Sequence, residues 1–423
     1  MTVSQSSPHH AESRTTLADY RTALTAPGSR APAVASLFAR LPIAMIGISA
    51  LLYVQRETGS FATAGLVSAG TLMGVAVGAV IQGRLIDRFG PTRPLIIAAV
   101  LFSIKTTILI FAIERHLPTA TLVTLAFAAG FTEPMVGSAS RAIWARLLPA
   151  GPARNAALSY EAISMEVFFI LGPGFAGVLI AAPWAGTGMV VGTVSMVVGS
   201  VVFALSPAVR AWDPAAGGRK LLGALASPGM RTLALAVLGF GMVIGFVEVA
   251  VPAAATNDGH APFGGLLLSV WSISSVAFGV AYSLRPWPRP MNLRLPVLLL
   301  AFGVLVALLS LPTSLWALGL AMLAAGALIT PQSTTHSAMI ELVAPKGTAA
   351  EAFGWVVTAV TLGLAFGQSI SGFLVEHSGP PAAFLAAGVM GVIVAGLVWL
   401  LRGSLRAPAS ATAGQAELAG AAR

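Results

Sequence analysis

Three glutamates stand inside long apolar stretches of the sequence, where charged side chains are rare: Glu133, Glu166 and Glu248. A carboxylate in an apolar setting is costly unless it is paired, hydrated or neutralised, so each is a candidate for binding and releasing a proton or a cation. Glu166 is the strongest candidate. Pro173 and Gly177 follow it seven and eleven residues later, and at that spacing all three share one face of a helix.

A structural role is the alternative for each of these glutamates. Glu166 could be tied to Arg141 or Arg146, which lie on the preceding apolar stretch. Glu133 lies near the middle of that preceding stretch, where a role in a central cavity is the competing interpretation. Glu248 lies in the outer part of a later stretch, where it could serve an external gate or carry a proton.

Other polar residues in the apolar stretches are expected to be structural. We expect Glu161 to pair with basic loop residues and Arg40 to extend its charged end toward the membrane surface. Lys105 is expected to be structural or to face a crevice. Packing is favoured over ligand contact, although both remain open, for four further residues: Trp271, Gln332, His336 and Trp355.

The composition indicates a membrane protein. Hydrophobic residues make up 56% of the 423 residues, charged residues only 9%, and the mean hydropathy is +0.86. Soluble domains carry about 25% charged residues. The net charge of +9 does not indicate a nucleic-acid partner, because the basic residues are separated by apolar runs. The chain has no cysteine, which excludes disulfides and thiolate metal sites, and we expect neither a metal nor a cofactor.

Apolar stretches long enough to cross a bilayer occur twelve times, which predicts an all-α membrane protein. The predicted spans are 33–54, 60–82, 94–113, 118–147, 155–181, 187–208, 231–254, 263–283, 294–311, 315–343, 350–375 and 381–401. Of the 24 lysines and arginines, twenty fall at or between the spans on one side. Only Arg56 and Arg115 fall in the opposite loops. Basic residues mark the cytoplasmic side, so both termini are predicted to be cytoplasmic.

The chain is predicted to consist of two six-helix bundles. Residues 32–208 and 231–402 form the bundles, residues 209–230 the cytoplasmic linker, and residues 1–31 and 403–423 disordered cytoplasmic tails. A shift of about 196 residues brings the halves into partial register; for example, Gly83 falls on Gly279 and Pro149 on Pro345. Two parallel repeats place a substrate site between them, near the midplane of the bilayer.

A glycine- and arginine-rich segment follows the second span and is expected to form a short cytoplasmic turn. It reads Gly83-Arg84-Leu85-Ile86-Asp87-Arg88-Phe89-Gly90-Pro91-Thr92-Arg93. This segment resembles the signature loop of the major facilitator superfamily, G-x-L-x-D-R-x-G-x-x-R, at the position where that family carries it. The resemblance implies a twelve-helix transporter fold and a cytoplasmic gate formed by Gly83, Asp87, Arg88, Gly90 and Arg93, in which Asp87 meets the eleventh span. Glu351, which closes a capping box at the start of that span, is the expected partner.

The fifth predicted span contains Gly172-Pro173-Gly174-Phe175-Ala176-Gly177. Proline removes a helix hydrogen bond and glycine permits close approach, so a bend or a tight helix contact is expected here. The segment is similar, in part, to the antiporter motif of the superfamily's exporters, because Gly172, Pro173 and Gly177 are present while Val178 replaces the last glycine. The similarity favours efflux, and ordinary small-residue packing is the alternative.

These features predict a secondary transporter of a small organic solute, working by alternating access and coupled to protons. An importer of a sugar, amino acid or carboxylic acid with the same fold is one alternative. A non-transporting membrane receptor or scaffold is another. The sequence has no G-x-x-x-x-G-K-[ST] segment, so it gives no support to ATP-driven transport. The expected partners are the solute, protons and the lipid bilayer, and a monomer is expected.

Overall fold

The computed structural model describes residues 16–149, 151–212, 223–283, 291–345 and 349–405. All regular secondary structure in these ranges is helical. The α-helices are α1 Leu17–Thr25, α2 Arg30–Thr58, α3 Phe61–Phe89, α4 Thr92–Glu114, α5 Thr119–Phe131, α6 Val136–Leu147, α7 Pro152–Leu179, α8 Thr187–Leu205, α9 Pro207–Arg210, α10 Pro228–Asn257, α11 Pro262–Ser283, α12 Met291–Leu308, α13 Leu315–Gly326, α14 Ile329–Val343, α15 Ala349–Ser378 and α16 Pro380–Leu400, with short 3-10 helices at Ala224–Ala226 and Arg402–Leu405.

Twelve segments of the described chain are long and apolar enough to cross a membrane, which confirms the predicted number. Helices α2 to α8 supply six spans, called the N-terminal half below, and α10 to α16 supply the other six, the C-terminal half. The side on which α2 begins and α16 ends is called the terminal side, and the opposite side the far side. Exposed leucine, valine, isoleucine and phenylalanine side chains cover the outside of the bundle, as a lipid-facing surface requires.

Two spans are interrupted rather than continuous. The fourth is divided into α5 and α6 by residues 132–135, and the tenth into α13 and α14 by residues 327 and 328. Pro134 lacks the amide hydrogen that a continuing helix needs, which accounts for the first interruption. The predicted single helix over 118–147 is therefore wrong at its centre, and Glu133 lies in the interruption itself.

The prediction of a disordered tail over residues 1–31 is wrong for residues 17–25, which form α1. Thr16 and Asp19 close a capping box: the Thr16 backbone amide donates to the Asp19 carboxylate at 2.8 Å, and the Thr16 hydroxyl accepts from the Asp19 amide. Hydrogen bonds from Thr16 hold the pKa of Asp19 below its usual value. Ala23 is buried against Trp144 and Ala157, so the helix is anchored on the N-terminal half.

The glycine- and arginine-rich segment is mostly helical rather than a turn. Residues 83–89 form the last turns of α3, and the chain reverses only at Gly90, whose φ of 75° lies in the left-handed region. The prediction of a turn beginning at Gly83 is wrong because no residue before Gly90 stops the helix. The short connection to α4 then needs only Gly90 and Pro91.

Candidate functional site

The two halves touch backbone to backbone on the far side, along α3 and α15. A Cβ added at Gly65 of α3 would collide with the backbone carbonyl oxygen of Gln368 on α15. A Cβ added at Gly372 of α15 would collide with the carbonyl oxygen of Phe61. Small residues at both positions therefore allow the two helices to approach closely. We call this contact the α3–α15 seam.

A second seam joins α7 to α11 and involves the glycine-proline segment of the fifth span. Gly177 lies against Pro262 and Gly265, and Gly265 in turn lies against the carbonyl group of Pro173. The hydroxyl group of Ser269 donates to the backbone oxygen of Ile170 at 2.5 Å. The predicted tight helix contact at this segment is confirmed. Gly172 makes its own close contact within the N-terminal half, against Ala44 and Met45 of α2.

A carboxylate that the sequence analysis missed fastens the far end of the α3–α15 seam. Glu376, near the end of α15, accepts hydrogen bonds from the Ser60 hydroxyl at 2.5 Å and from the Ala62 backbone amide at 2.9 Å. Ala62 lies in the first turn of α3, where backbone amides have no partner inside the helix and a negative charge is favourable. Glu376 thus caps a helix of the opposite half.

The terminal ends of the same two helices are apart. Nothing lies within 4 Å of a Cβ added at Gly83 on α3 or at Gly354 on α15. The three hydrogen bonds given above between the halves lie at or beyond Ile170 and Ser269 toward the far side. The space between the halves is therefore closed on the far side and open on the terminal side.

The predicted gate is only partly described. The Asp87 side chain and residues 346–348 lie outside the described part of the structure, so the contact of Asp87 with the eleventh span and the capping box that begins at Thr348 stay predictions. Arg84, Arg88 and Arg93 are exposed on the terminal side, and the Arg88 guanidinium stacks on Phe89 at 5.1 Å. The Glu351 carboxylate already has a hydrogen-bond partner: it accepts a hydrogen bond of 3.0 Å from the backbone amide of Ala224, in the linker between the halves.

Glu166 lies on the stripe of α7 that faces α11. Ile170 and Pro173, four and seven residues further along, contact α11 through their backbone oxygens, and one helix face carries all three. Glu166 is half-buried, and the neighbouring side chains Ile163 and Val167 are exposed. Its carboxylate therefore lies just on the terminal side of the closed seam, where the halves separate.

Glu166 has no ion pair among the described residues, whose ion pairs are Arg40 with Glu161 and Asp258 with His260. The described ion pairs therefore give no support to the alternative that ties Glu166 to Arg141 or Arg146. Arg141 is exposed, and the Arg146 guanidinium lies over the ring of Trp212 at 4.2 Å.

Arg40 and Glu161 form a buried ion pair inside the N-terminal half, at 2.7 Å and with each side chain 1% exposed. Glu161 also accepts from Ser140 at 2.8 Å and from the Trp144 indole at 2.9 Å, and Arg40 donates to the Ser164 hydroxyl at 3.0 Å. Arg40 does not extend to the membrane surface, and Glu161 does not pair with a loop residue. Both predictions are wrong because the two helices bring the opposite charges together in the core, where their joint hydrogen bonds satisfy them.

Glu133 is buried behind α3, and its surroundings hold the interruption between α5 and α6 in place. The Gln82 side-chain amide donates to the Glu133 backbone oxygen at 2.8 Å, and its oxygen accepts from the Met135 amide at 3.2 Å. The Glu133 side chain is 9% exposed, and its carboxylate makes no ion pair in the described residues. Because the Glu133 side chain is more deeply buried than that of Glu166, a proton or solute in the space between the halves reaches it less easily.

Glu248 lies on α10, is half-buried, and accepts a hydrogen bond of 2.7 Å from the side-chain amide of Gln368 on α15.

Three of the four residues expected to be structural, Trp271, Gln332 and His336, are buried inside the C-terminal half. His336 packs on Phe240 with ring centroids 5.3 Å apart. They belong to the core of that half rather than to the surface between the halves. No group of three metal-ligating side chains occurs in the described ranges.

The fold agrees with comparisons to known proteins. A family model described as Major Facilitator Superfamily matches residues 33–336 and 288–422. No curated protein sequence matches the chain.

Solved transporter structures share the fold at low sequence identity. A variant of the nucleoside transporter NupG has a TM-score of 0.72 at 14% identity, covering 88% of this chain and 99% of its own. A POT family transporter in complex with 5-aminolevulinic acid has a TM-score of 0.66 at 14% identity, covering 90% and 97%. The human organic anion transporter MFSD10 has a TM-score of 0.58 at 16% identity, covering 88% and 99%.

Proposed function

The chain belongs to the major facilitator superfamily, and we propose that it is a secondary transporter that exports a small organic solute in exchange for protons. Transport is by alternating access, in which the two halves rock about a central site. The observation that carries the coupling is the position of Glu166, a carboxylate without a cationic partner just below the closed seam. A proton neutralises this group when the site faces one side, and its release on the other side drives the exchange.

Both termini are proposed to lie in the cytoplasm of a cell membrane. Twenty of the 24 basic residues fall on the terminal side when the spans are counted from the N-terminus, which is the usual bias of cytoplasmic loops. On this assignment the structure is in the inward-open conformation. One chain contains both halves, so we propose that the monomer is the transport unit, acting as a transporter rather than an enzyme.

Efflux is proposed because the α7–α11 seam uses the glycine-proline segment that resembles the exporters' motif. Gly177 and Pro173 both lie in the contact between the halves, where a motif that governs direction would act. The charges between the halves also disfavour an importer of carboxylic acids. Arg40 is neutralised by Glu161 within one half, so its charge is not available to an anionic solute.

Purified protein in liposomes with a pH gradient tests this proposal. We expect uptake or release of a fluorescent amphiphile, such as ethidium, to follow the gradient and to stop when an ionophore dissipates it. Glu166→Gln should abolish the dependence on the gradient while leaving downhill exchange of the solute. Glu57→Gln removes a carboxylate at the far-side end of α2 and serves as the matched control.

Each alternative predicts a different result. Gradient-driven transport at full rate in Glu166→Gln would remove this residue from the coupling role. Accumulation of a sugar or amino acid down the proton gradient would indicate an importer. An Asp87→Ala variant with unchanged cellular function, together with no transport of any solute in liposomes, would favour a receptor or scaffold.

A further inference from the structure

The pair formed by Glu248 and Gln368 lies at the closed end of the space between the halves. The side chains meet across α10 and α15, within the C-terminal half. The backbone oxygen of the same Gln368 lies against Gly65 of the N-terminal half, a contact of the α3–α15 seam that lies deeper in the molecule than the contact of Gly372 with Phe61. The pair therefore sits at the floor of a space that opens to the terminal side.

The side-chain oxygen of Gln368 has no hydrogen-bond donor in the described structure. Gln368 is 5% exposed, and its Oε1 atom is fully enclosed. The Nε2 atom donates to the Glu248 carboxylate at 2.7 Å, which fixes the orientation of the amide, because a carboxylate cannot donate to the amide oxygen. A buried acceptor without a donor is unfavourable, and native proteins rarely retain one unless something else supplies the donor.

Glu248 likewise has no cation beside it. The ion pairs of the described residues do not include it. The amide oxygen and amide nitrogen of Gln368 are bonded to one carbon, so the unsatisfied oxygen lies close to the Glu248 carboxylate. Two acceptors, one of them charged, thus lie side by side. The Glu248 side chain is half-buried and the Gln368 oxygen is enclosed, so a ligand that reaches Glu248 bonds to this oxygen after the Gln368 side chain turns toward it.

A protonated amine matches this region in charge and in hydrogen bonding. An ammonium group carries a positive charge for Glu248 and several N–H donors, of which one reaches the Gln368 oxygen. A quaternary ammonium ion supplies the charge without a donor, and an alcohol supplies a donor without the charge. The region therefore distinguishes the three groups by their charge and by their hydrogen-bond donors.

We propose that Glu248 and Gln368 recognise the protonated amino group of the transported solute, whose apolar part extends into the space between the halves. This inference rests on the proposed transport function and names the chemical class of its substrate. The two carboxylates then have different roles: Glu248 binds the solute, and Glu166, on the opposite half, binds the proton. A solute bound at Gln368 lies next to the α3–α15 seam, which must open before the solute is released on the far side.

Binding of a matched series of compounds to the purified full-length protein tests the proposal. The series contains straight-chain alkylamines of increasing length, the corresponding trimethylammonium ions and the corresponding alcohols. Binding is measured by thermal stabilisation and by isothermal calorimetry at about pH 7, where an alkylamine is protonated as a lysine side chain is. We expect at least one amine to bind about tenfold more tightly than its trimethylammonium analogue, and the alcohol to bind more weakly than either.

Two variants separate the two contacts. Glu248→Gln keeps an acceptor for the Gln368 amide but removes the charge, and it should abolish the preference for the amine over the alcohol. Gln368→Met keeps the volume but removes the acceptor, and it should abolish the preference for the amine over the trimethylammonium ion. Glu57→Gln, outside the pair, should bind like the unchanged protein.

The proposal is overturned if no amine binds more tightly than its alcohol, or if Glu248→Gln retains the full preference. Because binding is measured without a pH gradient, these results are independent of coupling. Amine-selective binding without gradient-driven transport would refute the proposed function but would still support the amine-binding site. Gradient-driven transport that Glu248→Gln leaves unchanged would refute this site alone.

Discussion

The two ends of the contact between α3 and α15 differ in what fills them. On the far side, Gly65 and Gly372 bring the backbones together, and Glu376 caps the first turn of α3. On the terminal side, Gly83 and Gly354 have nothing within 4 Å of the position a Cβ would take. The same pair of helices is thus closed at one end and open at the other.

A glycine by itself therefore does not create a contact between the halves. Glycines occur at both ends of the helix pair, but only those on the far side are used in the conformation seen here. The carboxylates are arranged in a related way. Glu376, at the end of α15, binds the first turn of α3, while the family resemblance has Asp87, at the end of α3, meet the start of α15. Each helix would then carry the carboxylate that holds the other in one of the two conformations.

Gly65→Leu should break the closed end and have the largest effect. Its Cβ alone collides with the Gln368 carbonyl oxygen, so the seam cannot close without a shift of the backbone. Overpacking of this kind costs about 1–3 kcal/mol, and we expect transport in liposomes to fall about tenfold or more. Gly396→Leu enters open space on the exposed face of α16, away from the contact between the halves, and is the matched control. Equal loss of transport in both variants, at equal yield of folded protein, would contradict the comparison.

Asp87→Ala should act on the opposite end. If Asp87 stabilises the conformation that is closed on the terminal side, its loss should slow transport several-fold and leave the conformation described here more populated. Populations can be measured as distances between spin labels on cysteines placed at Arg115 and Ser378, which are exposed on the far side of different halves. The chain has no cysteine, so no background labelling occurs. A longer far-side distance in Asp87→Ala would contradict this assignment.

Glu376→Ala should shift the equilibrium in the other direction. Glu376 is exposed, so its two hydrogen bonds to α3 are expected to be worth about 0.5–1.5 kcal/mol, or about two- to tenfold in the ratio of conformations. The same spin-label pair should report a larger fraction of long far-side distances. Combining the two substitutions should return the ratio toward that of the unchanged protein, whereas a purely structural role for Glu376 would produce no compensation.

Glu351→Ala should have the smallest effect. In this conformation the Glu351 carboxylate binds the linker amide of Ala224 rather than a gate residue. We expect faster amide hydrogen exchange at Ala224 and a change in transport within about twofold, consistent with the loss of a single partly buried hydrogen bond of about 1 kcal/mol. A loss of transport as large as that of Asp87→Ala would show instead that Glu351 belongs to the gate, as the sequence analysis expected.

Much of the candidate site was predictable because its signals are local. The twelve spans follow from runs of apolar residues, and the close contact at Pro173 and Gly177 follows from small residues inside one span. The interruption at Glu133 was missed because averaged hydropathy does not register a break of four residues. The helical end of α3 was missed because glycine and arginine in a short connection also suit a turn.

The partners of the ionisable residues were not predictable from their neighbours in sequence. Arg40 pairs with Glu161 across more than a hundred residues, and Glu376 binds Ser60 and Ala62 across more than three hundred. Nothing local marks such a pairing, because an arginine near the start of a span is as suited to the membrane surface as to a buried carboxylate.

The sequence by itself determined the class and the number of spans of this protein. Those features depend on the solubility of side chains in lipid and on motifs contained in a few consecutive residues. Only the tertiary structure decided which carboxylates have a cationic partner. That depends on which helices pack together, and so Glu161 became part of a satisfied core while Glu166 was left facing the space between the halves.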